Sequence, residues 1–178
     1  KLIEDAGRGL EIDTSPFFMG DLELRDANIV FQYTDEEIEE FQKCANDPIY
    51  FTSKYCKFQN DKGRTTVKLR NFQEETLHML CDQHYDEELD EMVPDNRNCV
   101  IMASRQTGKT TTTAAFMAWY LCFHYDRNIM ALANKQNTAI EIVDKVIQIF
   151  RGLPFWLKPG AINFGKMGVT LDNGCRLL

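Results

Sequence analysis

The chain has 178 residues, of which 44% are hydrophobic and 26% are charged, and this balance excludes an intrinsically disordered or fibrous protein. The formal net charge of −7 argues against a domain that coats nucleic acid, although an acidic average still allows a basic patch on one face. The length suits one domain of ordinary size, no apolar run is long enough to cross a membrane, and no signal peptide is visible.

The first part of the chain is predicted to be an extended arm that leads into helices. Residues 1–24 show no hydrophobic period and are interrupted by glycine and proline, so we expect an extended arm there. Thr34 and Glu37 have the spacing of a capping box, which predicts the start of a helix. Pro48 ends that helix or opens the next one.

A turn, a third helix and an acidic loop are predicted next. Residues 57–65 are polar and predict a turn, whereas 67–69 alternate and predict a short extended piece. Asn71 predicts another helix start, with Glu74 at its third helical position. The acidic stretch 85–98 contains a proline and predicts a loop or an insertion.

The second half of the chain alternates between apolar runs and helices. Residues 99–103 and 129–133 are short apolar runs, typical of buried parallel strands. We predict one helix from 108 to about 125 and an amphipathic helix at 138–150. A hairpin follows, with strands at 161–164 and 168–171. This order predicts an α/β fold, in which the two apolar runs are parallel neighbours in a sheet with helices on its faces.

The six cysteines contain no C-x-x-C pair, which favours reduced thiols in a cytosolic protein over a disulfide framework. His78, Cys81 and His84 are three residues apart and would share one face of a helix. They could hold a metal ion, but the sequence suggests no fourth ligand.

The first apolar run leads into a phosphate-binding loop at residues 103–110, with the sequence ASRQTGKT. A strand before the loop and a helix after it are the context in which this motif binds nucleotides. Backbone N–H groups of such a loop form a nest for anions, and the helix N-terminus adds partial positive charge. Gly108 lets the backbone approach the phosphates, Lys109 can reach the β- and γ-phosphates, and Thr110 can offer its hydroxyl to magnesium. A glycine turn with an incidental lysine would leave the preceding apolar run unexplained.

The residues predicted to bind ATP with Mg²⁺ therefore form one continuous segment. They are Ser104, Arg105, Gln106, Thr107, Gly108, Lys109, Thr110 and Thr111.

Two side chains near the motif allow more than one interpretation. Arg105 can act as an arginine finger in cis, which stabilises charge on the transferring phosphoryl group, or it can point outward and pair with a carboxylate. Gln73 carries a donor and an acceptor side by side, which suits adenine, and Phe72 could stack on the base. A surface glutamine is the other interpretation of Gln73.

Together, these segments resemble the large terminase subunits, the DNA-packaging ATPases of tailed bacteriophages, and especially those of T-even-like myoviruses. The sequence SRQTGKTT at 104–111 resembles the phosphate loop of that family, and LRNFQ at 69–73 resembles its adenine-recognition segment. Further similar segments are Tyr33–Thr34, Lys43–Cys44, Tyr50–Phe51, 132–135, 153–160 and 171–174. The resemblance extends from about residue 25 to the end of the chain.

The resemblance implies a P-loop ATPase core of the ASCE/RecA-like class, and it implies roles for several residues. Lys109 and Thr110 would hold the phosphates and Mg²⁺, Arg105 would be the cis finger, and Gln73 with Phe72 would recognise the adenine of ATP. The expected organisation is an arm at 1–24, a helical region with the adenine segment at 25–98, and the first part of the ATPase core at 99–178.

The resemblance also implies a biological setting. The family drives double-stranded DNA into an empty capsid in the host cytoplasm, away from any membrane. The family docks on the portal protein and works with the small terminase subunit. A homo-oligomeric ring on the portal is compatible with such docking. Its ATPase domain precedes an endonuclease domain of ribonuclease H type.

The sequence departs from the family pattern in its carboxylates. No apolar run ends in the Asp-Glu pair of a Walker B element, and the nuclease carboxylates are not found. We therefore expect both beyond residue 178, which would make these residues the front part of the ATPase domain and inactive alone. A helicase-like or restriction-type DNA translocase is an alternative function. A nucleotide-sensing P-loop adaptor is a non-enzymatic one.

Overall fold

The computed structural model describes residues 16–27, 29, 32–60, 63–66, 68–88, 90–95, 98–166 and 168–178. Most of the predicted arm lies outside these residues, and its described end is not extended. A 3₁₀ turn at Phe18–Gly20 bends the chain, and Leu24 is only 4% exposed. Asp26 then forms a parallel bridge with Ala161. The segment from 16 to 26 is therefore packed on the core.

The first two helices begin where the sequence predicts, and their caps explain why. Helix α1 (Asp35–Asn46) starts with the predicted capping box, in which Thr34 Oγ1 accepts from the Glu37 N–H at 3.2 Å. Helix α2 (Pro48–Tyr55) has Pro48 in its first turn, and the Asp47 carboxylate accepts two backbone N–H groups. These contacts satisfy donors that a helix N-terminus otherwise leaves unpaired.

Two predictions for the middle of the chain are wrong, because both stretches form antiparallel hairpins. The first hairpin joins β1 (Lys57–Asn60) to β2 (Gly63–Thr66), where a turn alone was predicted. The second joins β3 (Gln83–Asp86) to β4 (Glu91–Pro94), within the predicted acidic loop. Both hairpins are largely polar, so the hydrophobic alternation that marks a strand in a sequence is weak.

Helix α3 (Asn71–Cys81) lies between the hairpins, as predicted, but its cap differs by one residue. Arg70 is the N-cap, and its backbone N–H donates to Gln73 Oε1 at 3.0 Å. Gln73, and not Glu74, is therefore the residue whose side chain bonds the backbone N–H of the N-cap residue. Of the predicted extended piece at 67–69, residue 67 lies outside the described residues and the other two lie in no strand.

The second half forms a mixed α/β core of two helices and a four-stranded sheet. Helices α4 (Lys109–Phe123) and α5 (Gln136–Gly152) pack together and share one apolar cluster with the sheet. The strands are β5 (Asn128–Ile129), β6 (Ala161–Gly165), β7 (Gly168–Leu171) and β8 (Arg176–Leu177), in the order β5-β8-β7-β6. The β5–β8 pair is parallel and the other pairs are antiparallel. Both predicted helices and the β6–β7 hairpin are confirmed.

The predicted central strand at 99–103 is wrong in this structure. These residues lie in no strand, and Val100 and Met102 are 89% and 93% exposed. Of the second apolar run, at 129–133, only Ile129 lies in a strand, β5. This strand pairs with β8 and not with the first apolar run. A strand exists only through pairing, and no strand in the described ranges lies beside 99–103. A parallel P-loop sheet is therefore not seen.

Helix α4 is held near its C-terminal end by hydrogen bonds to two distant parts of the chain. The Trp119 indole donates to the backbone O of Cys44 in α1 at 2.9 Å. At the same end, the Asn173 side-chain amide donates to the carbonyls of Leu121 and His124 at 2.7 and 3.0 Å. These bonds satisfy carbonyls that the end of a helix leaves unpaired. No helix in the described part of the chain could span a lipid bilayer.

Candidate nucleotide-binding site

The loop before α4 turns on two residues with positive φ. Gln106 has φ 61°, and Gly108, the N-cap of α4, has φ 87°. A side chain at Gly108 would be strained by this φ, and its Cβ would lie 2.6 Å from Gln73 Nε2. Gly108 is therefore required both by its backbone conformation and by the close approach of α3.

Gln73 joins α3 to the loop and is only 5% exposed. Its Nε2 donates to Thr112 Oγ1 at 3.1 Å and to the backbone O of Thr107 at 3.5 Å. Since its Oε1 accepts from Arg70, both ends of the amide are engaged within the protein. Gln73 thus lies where the resemblance expects it, beside the loop. Its contact with adenine stays a prediction, as does that of the neighbouring Phe72, which is 38% exposed.

The Lys109 side chain folds back onto the loop, and its ammonium group donates hydrogen bonds to the loop backbone. Its Nζ donates to the backbone O of Ala103 at 2.8 Å and of Ser104 at 2.5 Å. Thr107 Oγ1 also donates to the backbone O of Ser104, at 3.0 Å. The positive charge of Lys109 is therefore satisfied by carbonyl oxygens of the loop itself.

A pocket of about 220 Å³ lies beside the loop, lined by residues 106–111 and by Lys145 of α5. Thr110 is part of this lining. A hydroxyl oxygen suits Mg²⁺, which prefers oxygen ligands and completes its shell with phosphate oxygens and water. Arg105 is exposed outside this lining, and no carboxylate of the described residues forms an ion pair with it.

The residues of this loop also fall within a match to a known protein family. Residues 100–178 match the family described as terminase large subunit, T4likevirus-type, N-terminal. Residues 100–178 are thus similar to the N-terminal part of T4-like large terminase subunits. The match confirms the resemblance based on the loop sequence, and it covers the loop, α4, α5 and the four-stranded sheet. Large terminase subunits are the motors that package phage DNA.

The segment at 69–73, which was predicted to recognise adenine, precedes the residues that match the terminase family. The structure nevertheless brings Gln73 into contact with the loop of the matched part. Two residues of this region were not marked by sequence reasoning, Thr112 and Lys145. Thr112 continues a run of threonines and Lys145 lies in an amphipathic helix, so neither carries a motif signal. Only the packing of α3 and α5 around the loop places them there.

The structure does not bring the three possible metal ligands together. His78 Nδ1 lies 3.4 Å from Asp82 Oδ1, and His84 Nδ1 lies 2.7 Å from Asp95 Oδ1. Burial raises the pKa of the Cys81 thiol to about 12, which disfavours the thiolate that binds metals. Among the described residues no group of three such ligands occurs, and all six cysteines are free.

Proposed function

We propose that this chain is the ATP-binding part of a motor that couples ATP hydrolysis to the translocation of double-stranded DNA into a capsid. The observation that carries the proposal is the loop at the start of the 15-residue helix α4. Its glycine is left-handed, its lysine lies over the loop, and it falls within the residues that match the terminase family. The implied partners are DNA, the portal protein, the small terminase subunit and further copies of the same protein on the capsid, in the host cytoplasm.

The residues of the site divide the chemistry between them. Backbone N–H groups of the loop and the ammonium of Lys109 bind the phosphates, and Thr110 contributes its hydroxyl to magnesium. Magnesium, when bound, neutralises charge on the β- and γ-phosphates. Arg105 is exposed and close in sequence to Lys109, so it can turn toward the transferring phosphoryl group as a finger in cis. The Mg²⁺-binding and water-orienting carboxylates are not assigned to any residue of this chain.

Two substitutions in the full-length protein test this division. Lys109→Ala should weaken ATP binding and hydrolysis together, because its charge meets the ground-state phosphates. Arg105→Ala should leave ATP binding nearly unchanged and lower turnover by roughly 10³–10⁵-fold, the range of arginine fingers. Calorimetric titration with ATP and Mg²⁺, followed by steady-state hydrolysis and DNA packaging into procapsids, measures both effects.

Lys43→Ala is the matched control, since it removes one exposed positive charge from α1. It should change neither binding nor turnover. Failure of the unaltered protein to bind ATP would overturn the proposal as a whole. Binding without any hydrolysis would favour a nucleotide-sensing adaptor, and hydrolysis without packaging a different DNA translocase. Normal turnover by Arg105→Ala would reduce Arg105 to a structural residue.

A further inference from the structure

A cation from a separate helix faces the phosphate loop. Lys145 lies in the middle of α5, 36 positions after Lys109 in the chain. It lines the same pocket as loop residues 106–108 and the first turn of α4. No pattern in the sequence joins this lysine to the loop, and the packing of α5 on α4 brings them together.

The rotation of α5 is fixed by its apolar face, which sets the position of Lys145. Val143, Val146 and Ile149 are 3%, 0% and 0% exposed and belong to the central apolar cluster. Lys145 lies between the first two in sequence and is partly buried at the edge of that face. The backbone of Lys145 could move away from the pocket only if the buried face of the helix turned as well.

Lys145 has no partner that would explain its position as structural. Glu141 lies one turn earlier on α5, a spacing and order that favour an ion pair between exposed side chains. The structure contains no such pair, and throughout its described ranges no hydrogen bond or ion pair of the Lys145 ammonium occurs. A partly buried cation in a pocket next to an anion-binding loop is best satisfied by an anion.

We propose that Lys145 is a second phosphate-binding lysine of the site, which contacts the α- and β-phosphates of the nucleotide from the side of α5. This inference rests on the proposed function. The choice of phosphates follows from the lining of the pocket. It contains residues 106–111, whose backbone N–H groups surround the α- and β-phosphates in loops of this type. It does not include Ser104 or Arg105, at the other end of the loop.

A contact with the α- and β-phosphates has a consequence that a contact with the γ-phosphate does not have. Both ATP and ADP carry the α- and β-phosphates, so Lys145 should stabilise the two nucleotides equally. It would also tie α5 to the nucleotide throughout the cycle, whereas Arg105 would act only while the γ-phosphoryl group is transferred. Lys145 is thus a binding residue and not a catalytic one.

The test is calorimetric titration of the protein with Mg-ATP and with Mg-ADP for three variants. Lys145→Gln should weaken the binding of both nucleotides by a similar factor, roughly tenfold for one charge-assisted hydrogen bond. Lys145→Arg keeps the charge and should recover most of the affinity. Lys43→Gln removes one positive charge elsewhere and should change neither affinity. Thermal unfolding of each variant without nucleotide checks that the fold is kept.

The outcomes separate this inference from the function on which it rests. If the unaltered protein binds neither nucleotide, the proposed function fails and the inference fails with it. If it binds both, and Lys145→Gln binds them equally well, only the inference is overturned. A loss confined to ATP would overturn the assignment to the α- and β-phosphates. Equal losses for ATP and ADP, recovered by arginine, would support it.

Discussion

Glu40 accepts hydrogen bonds from three side chains of α2, and it joins α1 to α2. Its carboxylate accepts from Tyr50 Oη at 2.9 Å, Lys54 Nζ at 2.7 Å and Tyr55 Oη at 2.8 Å. These hydrogen bonds, that from Lys54 first, lower the pKa of Glu40 from 4.5 to about 2. The charged form is therefore favoured by the fold.

The lowered pKa predicts how acid weakens the protein. Because the pKa of Glu40 is lower in the folded state, its contribution to stability is complete above about pH 4.5 and is lost as the pH falls toward 2. The variant Glu40→Gln lacks this contribution. Its unfolding free energy should therefore be lower than that of the unaltered protein at pH 7, and the difference should shrink below pH 4.5.

Urea unfolding of both proteins between pH 2 and pH 7 measures this difference. Glu36→Gln is the control, since Glu36 is exposed in the first turn of the same helix. Its effect on stability should have a much weaker dependence on pH over this range. A constant difference between Glu40→Gln and the unaltered protein across the whole range would contradict the prediction.

At the scale of elements, the contact of α3 with the phosphate loop is the feature that joins the two halves of the chain at the site. Gln73 donates to Thr112 in the first turns of α4 and approaches Gly108 closely. The loop is thus in contact with α3 through Gln73, while Lys109 donates to two carbonyl oxygens of the loop itself. Such support keeps binding groups in place before a ligand arrives, which lowers the cost of binding.

This contact predicts that Gly108→Ala is destabilising for two separable reasons. A left-handed φ costs a non-glycine residue about 1–2 kcal/mol. The new Cβ would also displace Gln73, whose lost hydrogen bond to Thr112 adds about 1 kcal/mol. We expect a total of about 2–3 kcal/mol in the unfolding free energy, measured by urea denaturation.

A double-mutant cycle separates the two terms. In a Gln73→Ala background the side chain that would be displaced is absent, so Gly108→Ala should cost only the backbone part, about 1–2 kcal/mol. Gly20→Ala is the matched control, because it has φ 77° and nothing within 4 Å of an added Cβ. Equal costs of Gly108→Ala in both backgrounds would show that the approach of Gln73 is irrelevant.

At the scale of the whole molecule, charge governs what the chain can bind. It has 20 basic and 27 acidic side chains. Several of the acidic residues lie in the second hairpin and its turn, which follow α3 directly. Nonspecific binding of DNA depends on many contacts between basic side chains and phosphates, and a net acidic surface opposes it.

We therefore expect that the 178-residue chain alone does not bind double-stranded DNA tightly at physiological salt. Fluorescence anisotropy with a labelled duplex, repeated at low salt, measures this. Only weak binding that disappears with added salt is expected, with dissociation constants of about 10⁻⁴ M or weaker. Saturable binding in the micromolar range or below at about 0.15 M salt would contradict the prediction and reveal a basic surface.

Local order is what the sequence by itself determined. The capping box at Thr34, the proline start of α2, the two long helices and the β6–β7 hairpin follow from contacts between residues close in the chain. The motif of the predicted phosphate loop is also local, since it consists of consecutive residues. For the same reason, a short stretch of sequence was enough to indicate the family, which the match of residues 100–178 confirms.

Only the tertiary structure decided the order of the sheet and the surroundings of the loop. The apolar run at 99–103 has the composition of a buried strand, yet it is exposed because no described strand pairs with it. Gln73 reaches Thr112 across 39 positions of sequence, and Lys145 enters the loop pocket only through the packing of α5. Pairing and packing depend on groups far apart in the chain, whose approach no local period records.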